Sequence, residues 1–113
     1  MRIQSYRFGE IVIEGERYTD DVVVFADRVR SGWWRKEGHL LQLDDLKEVL
    51  EAELEALIVG TGARQGMKVA SEVVSHTKKV GVELLAFDTR SACHTFNQLI
   101  GKRKVVAALH LTC

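Results

Sequence analysis

A chain of 113 residues, 46% hydrophobic and 28% charged, is long enough for one core and too apolar to stay disordered. Sixteen basic and sixteen acidic residues cancel, so the composition carries no electrostatic footprint for nucleic acid. No apolar run approaches the roughly 18 residues of a membrane span, and Met1–Tyr6 lacks the apolar stretch of a signal peptide, so the expected compartment is the cytoplasm with no membrane association.

Residues 1–42 read as four to six short, mainly antiparallel strands. Ile11-Val12-Ile13 and Tyr18 flank Gly15-Glu16, which fits a tight hairpin with glycine in the first central position. Val22–Phe25 is a β-branched run that Ala26-Asp27 turns back into Arg28–Arg30. A first helix is predicted over 44–54, with Leu43, Leu46, Val49, Leu50 and Leu54 on one stripe and an Asp45/Glu48 capping box. A second helix is predicted over 67–79, with Ala70, Val73, Val74 and Thr77 on one face and Gly81 as its stop. A third is predicted over 89–100, capped by Asp88 or Thr89, with Ala92, Phe96, Leu99 and Ile100 inward and Gly101 as its stop. Between these helices lie three apolar runs, 57–60, 82–87 and 105–109. A β-α-β-α-β order implies parallel strands, because parallel neighbours need a crossover connection. The predicted fold is one α/β domain over residues 1–113. Its C-terminal half is a parallel βαβαβ unit, and antiparallel N-terminal strands extend or cover it. Proline is absent, so the turns rest on nine glycines with Asp and Asn.

In such sheets ligands bind at loops on the carboxyl ends of strands. Two loops qualify. Gly60-Thr61-Gly62-Ala63-Arg64-Gln65-Gly66 stands between a strand and a helix. Its glycines let backbone approach a ligand, the helix start offers free N–H groups, and Arg64 offers a charge-assisted bond, which together make an anion cradle. The spacing G-x-G-x-x-x-G is not the dinucleotide fingerprint, and no Walker lysine is present. The alternative is a plain strand-to-helix turn. Asp88-Thr89-Arg90 follows the next strand, either as a helix cap alone or as the opposite wall of the same cleft.

Cys93, His94 and Asn97 share the third helix, but adjacent helical positions point about 100° apart, and nothing stabilises a thiolate. Cys93 and Cys113 form no Cys-x-x-Cys pair, so a disulfide framework is not expected. His39, His76, His94 and His110 form no metal-ligand spacing, and His110 reads as a structural histidine at a strand end. No metal and no cofactor is expected. Trp33-Trp34 point to opposite faces if extended, so one can enter the core while the other anchors a contact beside Arg35. Lys102-Arg103-Lys104 with Lys78-Lys79 read as solvated surface.

Trp33-Trp34-Arg35, Gly60-Thr61-Gly62, the Thr89-x-x-Ala92-x-x-Thr95-Phe96-Asn97-x-Leu99 pattern and the ending Val105–Cys113 carry a resemblance that spans essentially the whole chain. The chain resembles small single-domain proteins of archaea and bacteria described as a domain of unknown function. Their animal relatives include an adipogenesis-associated cytosolic protein and an assembly factor of mitochondrial respiratory complex I. The resemblance implies a layered β/β/α domain, a role through partner contacts, and no catalytic residues to carry over. It marks Gly60, Thr61, Gly62, Asp88, Thr89 and Asn97 as pocket-edge residues. The preferred expectation is a non-enzymatic binding or assembly-type module contacting a protein partner through Trp33, Trp34 and Arg35. The alternative is a protein or enzyme that binds a small anionic ligand at Gly60–Gly66 and Asp88–Arg90. Nucleic acid is not an expected partner, and the oligomeric state is open.

Overall fold

The computed structural model describes all residues, Met1–Cys113. The chain runs β1 (Ile3–Arg7), β2 (Glu10–Ile13), β3 (Glu16–Tyr18), β4 (Val22–Val24), β5 (Val29–Ser31) and β6 (Leu40–Leu41). A 3-10 turn at Leu43–Leu46 then leads into α1 (Lys47–Glu51), β7 (Ala56–Gly60), β8 (Lys68–Val69) and α2 (Ser71–Lys79). The chain closes with β9 (Glu83–Phe87), α3 (Thr89–Leu99) and β10 (Val105–Leu109).

The central sheet has the order β5-β4-β10-β7-β9. Its β10, β7 and β9 are parallel, as the crossover argument requires, and β4 and β5 continue it antiparallel. Helix α2 joins the neighbours β7 and β9, whereas α3 leads back across β7 to β10. Right-handed crossovers in opposite directions put the two helices on opposite faces. Strand alternation follows the same division. Ala56 and Ile58 of β7, with Val105, Ala107 and Leu109 of β10 and Val22 and Val24 of β4, pack with Phe96 and Ala92 of α3 and with Ile3, Tyr6, Ile11 and Ile13 of the three-stranded sheet β1-β2-β3. Leu57, Val59, Val106, Ala108 and Val23 point the other way, onto Leu46, Val49 and Val73 of the other helices and onto Trp33 and Met67. Every β7 and β10 residue is buried, which is why both read as unbroken apolar runs.

Local boundaries differ from the sequence reading in three places. The hairpin turn is Glu14-Gly15, with φ of 49° and 79°, and Ile13 pairs with Glu16. Glycine therefore takes the second central position, as a turn with two left-handed residues demands. The first helix is split and short. Asp45 accepts from Gln42 N–H at 2.8 Å, so the box lies three residues earlier than expected, and Glu48 instead pairs with Arg28 and Arg30. Ala52 is already extended (ψ 149°), and Glu55 N–H bonds Lys104 O, which draws the chain into the sheet and takes Leu54 off the helix. Residues 67–70 are not helical. Lys68 N–H donates to His39 O and Ala70 N–H to Leu41 O, so β8 pairs with β6 in parallel and α2 begins only at Ser71. Val74 consequently faces outward, 49% exposed, while Val73 and Thr77 are buried.

Candidate functional site

The Gly60–Gly66 loop does sit at the carboxyl edge of the sheet, but its donors are engaged. Thr61 N–H and hydroxyl both go to Phe87 O, each at 2.9 Å. Gly62 N–H donates to Thr89 Oγ1 (2.9 Å), Ala63 N–H to Thr112 O (2.6 Å) and Gly66 N–H to Cys113 O (2.6 Å). Gly62 has φ +108°, and a Cβ there would collide with the Cys113 main chain. The loop is a socket for Thr112 and Cys113. An anion cradle on these donors would have to break those bonds, and the α2 N-terminus that was to reinforce it lies beyond β8. Arg64 is exposed.

The Asp88-Thr89-Arg90 segment divides its labour. Asp88 caps α3, accepting from Ser91 N–H (3.0 Å) and from the Ser91 hydroxyl (2.8 Å), and these bonds hold its carboxyl below the usual carboxylate range. Thr89 is fully buried. Its hydroxyl donates to His110 O at 2.6 Å and accepts from Gly62 N–H, so it ties β10 to the β7 loop. Arg90 is exposed and lies 5.5 Å from the Tyr6 ring centre. Asn97 spends its amide on Ile3, accepting from its N–H (2.9 Å) and donating to its carbonyl (2.7 Å), which pins β1 to α3. Cys93 is buried, and burial pushes its thiol up to about 12, so it is not a nucleophile at neutral pH.

The structure separates the two tryptophans. Trp33 is 7% exposed and donates its indole N–H to Asp45 O at 3.1 Å, so it belongs to the core and not to the expected contact surface. Trp34 is 75% exposed. Arg35, expected at the surface, has a buried side chain that is 4% exposed, and its guanidinium lies 4.8 Å from the Trp33 ring centre.

Arg35 belongs to a cluster that sequence reasoning missed. Leu109 pairs with Val22, so the residues just past that register, His110 and Asp21, meet at the same edge. Val22 also pairs with Ser31 of β5, which brings the following loop, with Trp34 and Arg35, to the same place. Asp21 Oδ2 lies 2.8 Å from Arg35 Nη2 and 2.7 Å from His110 Nδ1, and Oδ1 accepts from Leu111 N–H at 2.7 Å. Burial pushes the Asp21 carboxyl up, but these three donors outweigh it and hold it below the usual range. Nδ1 of His110 also lies 3.1 Å from Arg35 Nη2. One nitrogen cannot donate to the carboxylate and accept from the guanidinium, and the shorter contact to an ionised carboxylate assigns the proton to Nδ1, donating to Asp21. Nε2, 3.5 Å from Thr112 Oγ1, is then an acceptor. These groups line a cavity of about 290 Å³, whose wall includes Trp34, His39 and Thr112. Only a shared register and a loop path unite Asp21, Arg35 and His110, which are far apart in sequence. The one local sign was a charged residue next to the Val22–Phe25 run.

A larger cleft of about 540 Å³ lies at the opposite, amino-terminal edge of the parallel strands, between the turns at Ala26–Arg28 and Gly101–Lys104. Of its cations, Lys104 pairs with Glu53 (2.5 Å), Arg103 with Glu83 (2.7 Å) and Arg28 with Asp27 and Glu48.

Fold and site together define a small mixed α/β domain with a polar cluster at the carboxyl edge of its central sheet. This is the architecture of the Pyrococcus horikoshii conserved hypothetical protein PH1505, which matches with a TM-score of 0.87 and 25% identity over 100% of both chains. A Bordetella pertussis structure described as an Mth938-like domain matches with a TM-score of 0.71 over 97% of this chain and 85% of its own, at 24% identity, a likeness of fold alone. The chain belongs to the family described as a protein of unknown function (DUF498/DUF598), which matches residues 3–110. Among curated proteins it is similar to human NADH dehydrogenase [ubiquinone] 1 alpha subcomplex assembly factor 3, 30% identical over 111 residues. That match covers 96% of this chain but 59% of the human protein, so this chain spans well under two thirds of that relative's length.

Proposed function

We propose that the protein is a non-enzymatic binding module of the assembly type, and that it presents Trp34 to a protein partner at the carboxyl edge of its sheet. The observation that carries this reading is the contrast within Trp33-Trp34-Arg35. Trp33 and Arg35 are locked beneath the surface, and the residue between them leaves a large rigid aromatic 75% exposed. An indole covers a large area for little side-chain freedom given up on contact, which suits an interface anchor. The likeness to an assembly factor supports the same role. On this reading the protein works in the cytoplasm through a protein partner and without a cofactor. The ligand alternative at Gly60–Gly66 and Asp88–Arg90 is disfavoured because the N–H groups it needs are engaged within the chain.

The test is in-cell photo-crosslinking. A photoreactive residue in place of Trp34 is expected to give one discrete protein adduct, and the same residue in place of Val74, on α2, none. No adduct at position 34, or the same products from both positions, would sink the reading. Trp34→Ala is expected to leave the melting temperature unchanged and to remove the partner.

A further inference from the structure

The Arg35 side chain, which belongs to a residue lining the cavity at the Asp21–Arg35–His110 cluster, carries a feature that neither the fold nor the partner reading uses. Arg35 Nε and Nη2 donate to Gly38 O at 3.1 and 2.9 Å, and Nη2 also reaches Asp21. Nη1 has no partner, alone among the buried side-chain nitrogens and oxygens of the protein. Buried polar groups are nearly always hydrogen-bonded, and charged donors most of all, so a guanidinium held by Gly38 O and Asp21 with Nη1 unpaired calls for an acceptor. The same wall carries the Thr112 hydroxyl, His110, and the His39 ring, which stands edge-on 5.8 Å from that of His110.

We propose that this cavity binds a small oxyanion, a carboxylate or phosphate group, held by Arg35 and Thr112 and by a protonated His110. The charge balance makes the proton part of the site. Asp20 and Asp21 on the wall outnumber Arg35, so with neutral imidazoles an anion meets a net negative charge. A proton on His110 Nε2 reverses this. Nδ1–H stays on Asp21, and Nε2–H turns from acceptor to donor towards the anion. Few charged groups face His110. Asp21 faces it from the start of β4, and Arg35 and His39 face it from the loop after β5. The β7 loop presents only Gly62, and the nearby Tyr6 hydroxyl of β1 is bound to Leu111 O. Binding is therefore coupled to uptake of one proton. This inference is independent of the partner reading, because it concerns a free ligand and the protein alone.

The test is an NMR titration of the purified protein with inorganic phosphate and, separately, with acetate, following the imidazole nitrogens of His110 and His39. At about pH 6 one or both anions are expected to move the His110 Nε2 signal saturably towards the imidazolium position. Affinity is expected to fall about tenfold per pH unit once the imidazole is neutral. Whichever anion saturates identifies the class. Thr112→Val, which leaves the main-chain bond from Ala63 in place, is expected to weaken binding about tenfold or more, and Arg35→Lys to abolish it while keeping the charge. Arg64→Ala, on the neighbouring loop, is expected to change nothing. No saturable shift with either anion at ~100 mM, about a hundredfold above a millimolar Kd, would overturn the proposal. So would binding that survives Thr112→Val and is lost in Arg64→Ala.

Discussion

Asp21 is the residue on which the carboxyl edge depends. Its two oxygens take three donors from two segments, the His110 ring and Leu111 N–H just past β10 and Arg35 of the loop after β5. Asp21→Asn leaves Arg35 buried without a counter-charge, and breaking such a pair costs about 3–5 kcal/mol. The pH dependence follows from the direction of its shift. The folded carboxyl is held below its ordinary value, so the unfolded state binds the proton first and stability rises with pH in that range. The Asp21 contribution is present in full above the ordinary carboxylate value of about 3.9 and is lost as pH falls through the lowered folded one. Urea midpoints measured from neutral pH into acid should show wild type well above Asp21→Asn near neutrality and the two converging below about pH 4. A constant gap across that range would mean that the ion pair is not what Asp21 contributes.

At the scale of elements, tertiary bonds overrule local preference in one place and fasten a layer in another. Residues 67–70 carry a helical pattern but pair with β6 instead, because Lys68 and Ala70 find main-chain acceptors at His39 and Leu41. The layer formed by β1, β2 and β3 lies on α3 and is fastened at one edge by the Asn97 amide. Asn97→Ala removes both bonds, and a cost of about 1–3 kcal/mol is expected, with Ile3 N–H left without an acceptor. Amide exchange should report it. Protection at Ile3 and its neighbours in β1 falls, while β7 and β10 keep the protection of the whole fold. Equal loss of protection in β1 and β7 would show that Asn97 supports the fold globally and does not fasten one layer.

For the molecule as a whole, the central sheet divides two cores, and a thiol marks one of them. Cys93 lies between α3 and the sheet, 6% exposed, whereas Cys113 is exposed. A thiol reagent is expected to modify Cys113 at once and Cys93 only as fast as the protein opens globally, so that denaturant equalises the two. Rapid native modification of both thiols would mean that α3 lifts from the sheet on its own. Measured by mass spectrometry, the lag also serves as a stability readout for Asp21→Asn and Asn97→Ala.

The sequence alone determined the parallel core of this protein. The apolar runs at β7 and β10, their spacing from the half-buried edge strand β9 and the Asp88 cap are local signals, because buried parallel strands are continuous in hydrophobicity and helix caps are chemically selective. Short range also sufficed for the opposite orientations of Trp33 and Trp34, though not for which of them is buried. Only the tertiary structure decided the rest. The register of Leu109 against Val22 brings Asp21 to His110 across most of the chain, and the path of the loop after β5 delivers Arg35. Thr112 and Cys113 take up the loop donors that the ligand alternative requires, as the plain-turn reading allows. Strand pairing is a non-local choice made by packing, so the cluster it creates leaves no mark in any window of sequence.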